Sequence, residues 1–370
     1  MKRTVLAIAL LIATPAMADP ITDAAADIKT RLEALEAGLA GHTHVAPAPQ
    51  PTPEPSLKPV VTMCAAGCEA ANFKAAYAMV AEGGTINVAP GAYNDCLIVK
   101  KSLTINGAGA KITGKACGEK GAFVIAAGGV TLTGFDIGPI TGTEGNIACV
   151  RATETSTGVT LRGIKCHDTK MGVLAKVTGD VLIEDCEFWK FASAGAIPHA
   201  LYITEANRFT LRNSIVRESN GGHLVKSGAQ QTIIENSILA ALDSKTSRLI
   251  DAFGGGELTV RNSVLQVKNN TSLHFINYAS EPKRLNAPPH VVAIEGNTFI
   301  NDDARTPVRQ FSLFRPQAPL VSPIDAAAID NVIVGKAGNW PSWITETRTR
   351  RFVDRATAGL PAYDGTIGSL

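Results

Sequence analysis

Four short stretches, HALYIT (199–204), HLVKSG (223–228), RLIDAF (248–253) and HFINYA (274–279), place chemically capable side chains at matching positions. In an extended strand alternate residues leave the same face. With Leu201, Val225, Ile250 and Ile276 taken as the inward column, Tyr202, Lys226, Asp251 and Asn277 form an outward one, a phenol, an amine, a carboxylate and an amide in a row. A second column, at the strand starts, holds His199, His223, Arg248 and His274. Lys226, His223, Tyr202 and His199 are the candidate proton carriers, and Arg248, Asp251, Asn277 and His274 the candidate substrate-binding groups. Tyr202 suits an acid, His223 or His199 a base, and Lys226 either a base or a fixed positive charge. Arg248 would grip a carboxylate as a planar fork.

The bland reading of any one of these residues is a solvated face or a turn. Three His and an Arg in one column beside Tyr, Lys and Asp weigh against it. Asp251 also admits two other readings. With Asn277 and Glu205 or Glu281 it could bind Ca²⁺, although a calcium site needs several oxygen ligands. Paired with Glu205, Asp243 or Glu281 it could serve a glycoside hydrolase, which needs two carboxyl groups flanking the bond.

The elements that must hold these columns repeat along the chain. The phrases LTING, VTLTGF, VTLRGI, VLIEDC, FTLRNS, TIIENS, LTVRNS and VAIEGN recur with anchors at Ile105, Leu132, Leu161, Ile183, Leu211, Ile234, Val260 and Ile294. Their uneven spacing excludes a leucine-rich repeat and suits coils of a β-solenoid with loops of varying length. Each coil buries its inward residues only by stacking on its neighbours, so the first coil needs a lid. Phe73, Ala76, Tyr77 and Val80 share a helical face that stops at Gly83 and Gly84, and supply one. Asn213, Asn236 and Asn262 recur at one place in successive coils and predict a ladder of stacked side-chain amides.

The opening GGTINVAPGAY, the helix before it and the coil phrases resemble the pectin-lyase-like superfamily of right-handed parallel β-helices over roughly Cys64 to Asn301. That resemblance implies an all-β solenoid with an N-terminal helical cap and a polysaccharide partner. The stretch NGGHLVKSGAQQTIIENS resembles β-helix alginate lyases and chondroitinases, in which a VKS-like strand supplies a catalytic Lys and the next coil an Arg. Lys226 and Ser227 match, and Arg248 is displaced by about one residue. The expected function is therefore β-elimination on a uronate-containing polysaccharide, with a hydrolase using Asp251 and a non-catalytic polysaccharide-binding scaffold as alternatives. The segments HALY, GGHLVKSGA, SRLIDAFGGG and FINYASE also resemble a group of exported bacterial β-helix proteins, which implies no particular reaction.

Residues 1–18 read as a secretory signal peptide, with Lys2 and Arg3 ahead of an apolar run too short to span a bilayer and Ala16 and Ala18 before the cleavage point. The expected location is the periplasm or the medium, without membrane insertion. Removing Lys2 and Arg3 from the 35 basic residues leaves 33 against 33 acidic ones, a balance that argues against a nucleic-acid partner. Within 19–41, Ile21, Ala25, Ile28, Leu32, Leu35 and Leu39 follow heptad spacing, so this segment is either a short oligomerising coiled coil, joining copies through 21–39, or a lone amphipathic helix. Residues 42–60 are Pro-rich and read as a stiff linker, 61–301 as the β-helix, and 302–370 as a C-terminal cap. Trp340 and Trp343 in that last segment cap the solenoid or form an aromatic sugar platform. Export favours disulfides among the seven Cys, with one left over. Thirty-four Gly, twenty Pro and a charged fraction of 18% agree with a turn-rich β protein.

Overall fold

The computed structural model describes residues 20–39, 56–194, 196–268, 274–303, 312–316 and 324–365. The predicted signal peptide and most of the Pro-rich linker lie outside these residues. The chain divides into two units, Met1–Glu54 and Pro55–Leu370. In the first, Pro20–Leu39 is one α-helix, and the heptad residues Ile28, Leu32 and Leu35 are exposed.

The second unit is a right-handed parallel β-helix. Each coil contributes a strand in turn to a first, second and third parallel sheet, which hold twelve, eleven and nine strands among the described residues. The anchors read from the repeats stack in register through the first sheet, from Ile105 on Leu132 to Val260 on Ile294, and every one is fully buried. Their neighbours face outward as short charge ladders, such as Arg162–Glu184–Arg212.

The lid is a shorter helix than expected, Phe73–Met79, because Val80 already opens the strand Val80–Val88. Asn72 caps it by accepting the N–H of Ala75, and Phe73 packs against Phe123 and Phe135 over the open end of the core. Lys58–Met63 pairs with Val80–Val88, so regular structure begins inside the stretch expected to be linker. At the other end, strands continue past Asn301 with Ile324–Ile329, Val332–Val334, Thr345–Thr347 and Arg350–Phe352. Trp340 is buried against Phe299, and the half-buried Trp343 packs on the same core.

The asparagine ladder is corrected by one residue. Asn213, Asn236 and Asn262 are exposed and left-handed (φ near 50°), a backbone that Asn and Gly tolerate, and Gly163, Asp185 and Gly296 occupy the same turn in other coils. The ladder runs through the residue after each. Cys186 N–H donates to the Ser214 hydroxyl, Ser214 N–H to Ser237, Ser237 N–H to Ser263, Ser263 N–H to Asn297 and Asn297 N–H to Asn331. These side chains satisfy backbone donors that the corner removes from the sheets.

Disulfides join Cys64 to Cys68, Cys96 to Cys117 and Cys149 to Cys166. Cys186 is the buried free thiol and a rung of the ladder, since its sulfur accepts the N–H of Ile164. Burial pushes this thiol up to about 12, so it is an inert partner and not a nucleophile.

Candidate functional site

The third sheet carries the predicted columns. Leu201, Val225, Ile250 and Ile276 are aligned and fully buried, and Tyr202, Lys226, Asp251 and Asn277 are aligned beside them. His223 pairs in register with Arg248. Strict alternation would turn His223 inward with Val225. Instead Leu224 and Val225 are both in the core, as are Leu249 and Ile250, and Phe275 and Ile276, so each strand bends there. The bend throws His223 to the side of Lys226 and Asp251. Gly222 permits the approach, because a Cβ there would lie 1.5 Å from the Pro198 carbonyl oxygen.

Two layers result. In the buried layer, His199 is 4% exposed, Asp251 4% and Asn277 1%. His199 Nδ1 accepts the backbone N–H of His223 (3.0 Å), so the neutral ring carries its proton on Nε2 and is a donor there. Burial, with the charges of His223 and Lys226, pushes its pKa down to about 3. In this arrangement Nδ1 is occupied and Nε2 carries the proton, so the neutral His199 ring faces its surroundings as a donor. His223 Nε2 lies 3.2 Å from Asp251 Oδ2, and Ser280 donates to Oδ1 (2.6 Å). Burial holds His223 below the usual histidine range against the pull of Asp251. Burial also pushes Asp251 up, but the hydrogen bonds from His223 and Ser280 and the charge of Lys226 outweigh it, and the carboxyl lies below its ordinary range. The consistent state is a neutral His223 donating to an ionised Asp251. His223 Nδ1 and Asn277 Oδ1 are buried without a hydrogen-bond partner among the described residues.

The outer layer is solvent-facing. Lys226 Nζ is 2.7 Å from Glu281 Oε1, 5.1 Å from the Tyr202 ring centroid and 5.3 Å from that of Phe253. Arg284 Nη1 donates to Glu281 Oε2 (2.9 Å) and to the Tyr202 hydroxyl (3.3 Å), and its guanidinium lies 4.3 Å above Phe253. The His199 and Tyr202 rings meet edge to face, 4.9 Å apart. Beside Tyr202 a groove of about 280 Å³ continues toward the N-terminal coils, lined by Lys120, Arg151 and Lys176 with Glu154.

Of the expected binding residues, Asp251 and Asn277 are sealed in the buried layer. Arg248 is half-buried, and its guanidinium bonds the Ser247 hydroxyl. His274 is half-buried in a strand paired with Arg248–Ala252. Ser280 and Arg284 were not singled out from the sequence, and Glu281 was weighed only as a carboxylate partner of Asp251. All three sit on a loop that folds back across the sheet, with Arg284 reaching a residue 82 positions earlier. The signal for that loop was the greater length of the coil between Val260 and Ile294.

The carboxylate donors weighed for a calcium site are engaged with other partners. Both Asp251 oxygens and both Glu281 oxygens are bonded, and Lys226 and Arg284 stand where a calcium ion would need anions, so the expected Ca²⁺ finds no ligand set here. His167 bonds Asp136 and Asp168 through its two nitrogens, and His290 Nδ1 accepts the Gly256 N–H. Six Cys are in disulfides. Among the described residues no three His, Cys, Asp or Glu side chains are grouped to hold a metal ion.

Fold and site together define a right-handed parallel β-helix with a polar groove on one sheet. Residues 106–307, more than half of the chain, match the family described as periplasmic copper-binding protein (NosD), and the chain belongs to that family. It is a periplasmic β-helix protein, and no helix among the described residues is long and apolar enough to cross a membrane. No curated protein matches it. Among solved structures it is similar to pectin methylesterase PemA from Erwinia chrysanthemi, at 12% identity and a TM-score of 0.36, over 82% of this chain and 95% of that one. It is also similar to a pectin methylesterase variant in complex with hexasaccharide IV, at 11% identity and a TM-score of 0.34, over 84% of this chain and 97% of that one.

Proposed function

We propose that the protein acts on a uronate-containing polysaccharide, and that the reaction is β-elimination at the outer layer of the third sheet. The observation that carries this reading is the placement of two cations beside Tyr202, Arg284 donating to its hydroxyl and Lys226 over its ring, next to the groove that runs toward the N-terminal coils. Elimination next to a uronate needs the carboxylate neutralised, a base for the C5 proton and an acid for the leaving oxygen. Lys226, ion-paired in the free protein, serves as a charge and not as the base. Arg284 takes the gripping role first expected of Arg248.

Tyr202 is left as the proton carrier. The step requires the phenolate form of Tyr202, toward whose oxygen Arg284 directs an N–H: that oxygen takes the proton from C5, the C5–H electrons form the C4=C5 double bond as the C4–O bond breaks, and the phenol returns the proton to the departing oxygen. His199, whose Nε2 is a donor, lies at the edge of the Tyr202 ring, and the His223–Asp251 pair fixes His199 through the His223 backbone. The basic groove with Lys120, Arg151 and Lys176 extends the same field along the sheet and suits an anionic chain.

The hydrolase alternative is weakened by Asp251, whose oxygens are both bonded and buried. Copper, the metal in the family's name, prefers imidazole and sulfur ligands, and the described His and Cys side chains do not fit such a site, so no step is assigned to it. The scaffold reading keeps one observation in its favour, the exposed heptad residues Ile28, Leu32 and Leu35.

The test is incubation of the purified protein with alginate, pectate, glycosaminoglycans and bacterial exopolysaccharides while the absorbance of unsaturated ends is followed. Lys226→Ala should lose about a hundredfold or more in kcat/KM on the active substrate. No unsaturated ends from any polymer, with binding retained, would move the protein to the scaffold reading.

A further inference from the structure

Glu281 bridges two cations, as Glu184 does on the first sheet, but here the cations stand on aromatic rings beside Tyr202. Each oxygen meets a different cation, Oε1 on Lys226 at 2.7 Å and Oε2 on Arg284 at 2.9 Å. Both cations are also placed by contacts that do not involve Glu281. Lys226 lies against the Tyr202 and Phe253 rings, and Arg284 stacks on Phe253 while donating to Tyr202 and to the Thr204 carbonyl. Two cations fixed independently on an aromatic floor form a ready carboxylate receptor.

The loop bearing Glu281 is pinned through its backbone. Glu281 N–H donates to the Phe253 carbonyl and Asn286 N–H to Gly254. The Asn286 amide donates to Ala229, and Gln230 donates to the Ala287 carbonyl. Vacating the receptor therefore takes a rotation of the Glu281 side chain alone, and that side chain is 31% exposed, with room to move into solvent.

We propose that Lys226 and Arg284 form the binding station for a carboxylate of the acidic saccharide, and that Glu281 occupies this station in the free protein as an internal stand-in for it. The proposal rests on the reading that the groove takes an acidic polysaccharide, and it adds that the protein competes with its own ligand. A tethered competitor lowers apparent affinity by the fraction of time it fills the site. Small monocarboxylates and neutral sugars are thereby disfavoured, because only an acidic ligand with further contacts along the groove displaces Glu281.

The experiment is calorimetric titration of the full chain with oligogalacturonate and oligomannuronate, with a neutral cello-oligosaccharide as reference. Glu281→Gln should bind at least one acidic oligosaccharide about tenfold tighter than the parent protein, without a gain for the neutral one. Adding Lys226→Met to Glu281→Gln should abolish the gain. Glu154→Gln, which removes a charge from the adjoining groove, separates displacement from a general change of field: an equal gain there overturns the proposal. So does unchanged or weaker binding by a folded Glu281→Gln, or no binding of any acidic oligosaccharide by either protein. Tighter binding without unsaturated product would leave the station standing and defeat the elimination reading; product formation without tighter binding would do the reverse.

Discussion

The first and third sheets are built from the same coils and solve opposite problems. On the first sheet the inward anchors from Ile105 to Ile294 are apolar and fully buried, and the charges Arg162, Glu184, Arg212, Glu235 and Arg261 stay at the surface as ladders. Such exposed pairs add little to stability. On the third sheet, His199, His223, Asp251 and Asn277 are buried within four adjacent coils. Burying ionisable groups opposes folding unless their partners are in place, so the third sheet carries a cost that the first does not.

The comparison breaks most visibly at Asp251. Asp251→Ala leaves His223 Nε2 and the Ser280 hydroxyl without their acceptor and should destabilise the protein by about 3 kcal/mol. Glu235→Gln on the first sheet should leave the denaturant midpoint almost unchanged. Equal losses in urea unfolding would remove the distinction between the sheets.

Acid sharpens the same contrast. His199 and His223 have folded pKa values below their unfolded value near 6.5, so protonation favours the unfolded chain. Their contribution is complete above about pH 6.5 and is lost as the pH falls from there toward the folded values, about 3 for His199. Unfolding free energy should fall with decreasing pH by about 1.4 kcal/mol per unit for each histidine, less whatever solvent reaches the rings. Asp251 adds to the loss only at lower pH, because its carboxyl is held below its ordinary range. His199→Gln should flatten the slope between pH 6 and 4, and a slope unaffected by that change would show that His199 titrates normally.

The smallest effect is expected at the ladder. Cys186→Ser puts a hydroxyl where every following rung has a hydroxyl or an amide, and stability should change by less than about 1 kcal/mol. Cys186→Val should be worse, because the N–H of Ile164 loses its acceptor. A reversed order would mean that apolar packing, and not the ladder, sets this corner.

Much of the fold could be read from periodicity. The anchors of the first sheet and the register of Tyr202, Lys226, Asp251 and Asn277 follow from residues alternating at the same place in each coil. The turn chemistry was read one residue early, because Asn213, Asn236 and Asn262 signal both a left-handed corner and an amide ladder, and only geometry shows that the corner uses them and the ladder uses Ser214, Ser237 and Ser263. The site was half legible. Tyr202 and Lys226 lie on strands, whereas Glu281 and Arg284 reach them from a folded-back loop that has no period. Burial changed the roles within the set, because the hydrogen bond from His223 N–H makes His199 a donor, which its place in a column could not indicate.

The central claim is that Tyr202 moves the proton at a site where Lys226 and Arg284 hold the carboxylate. Steady-state kinetics of Tyr202→Phe on the polysaccharide that yields unsaturated ends tests it most directly. The account predicts a kcat lower by about a thousandfold with KM within a few-fold of the parent, because the ring and its contacts remain while the proton carrier is gone. A variant that turns over at the parental rate would contradict it.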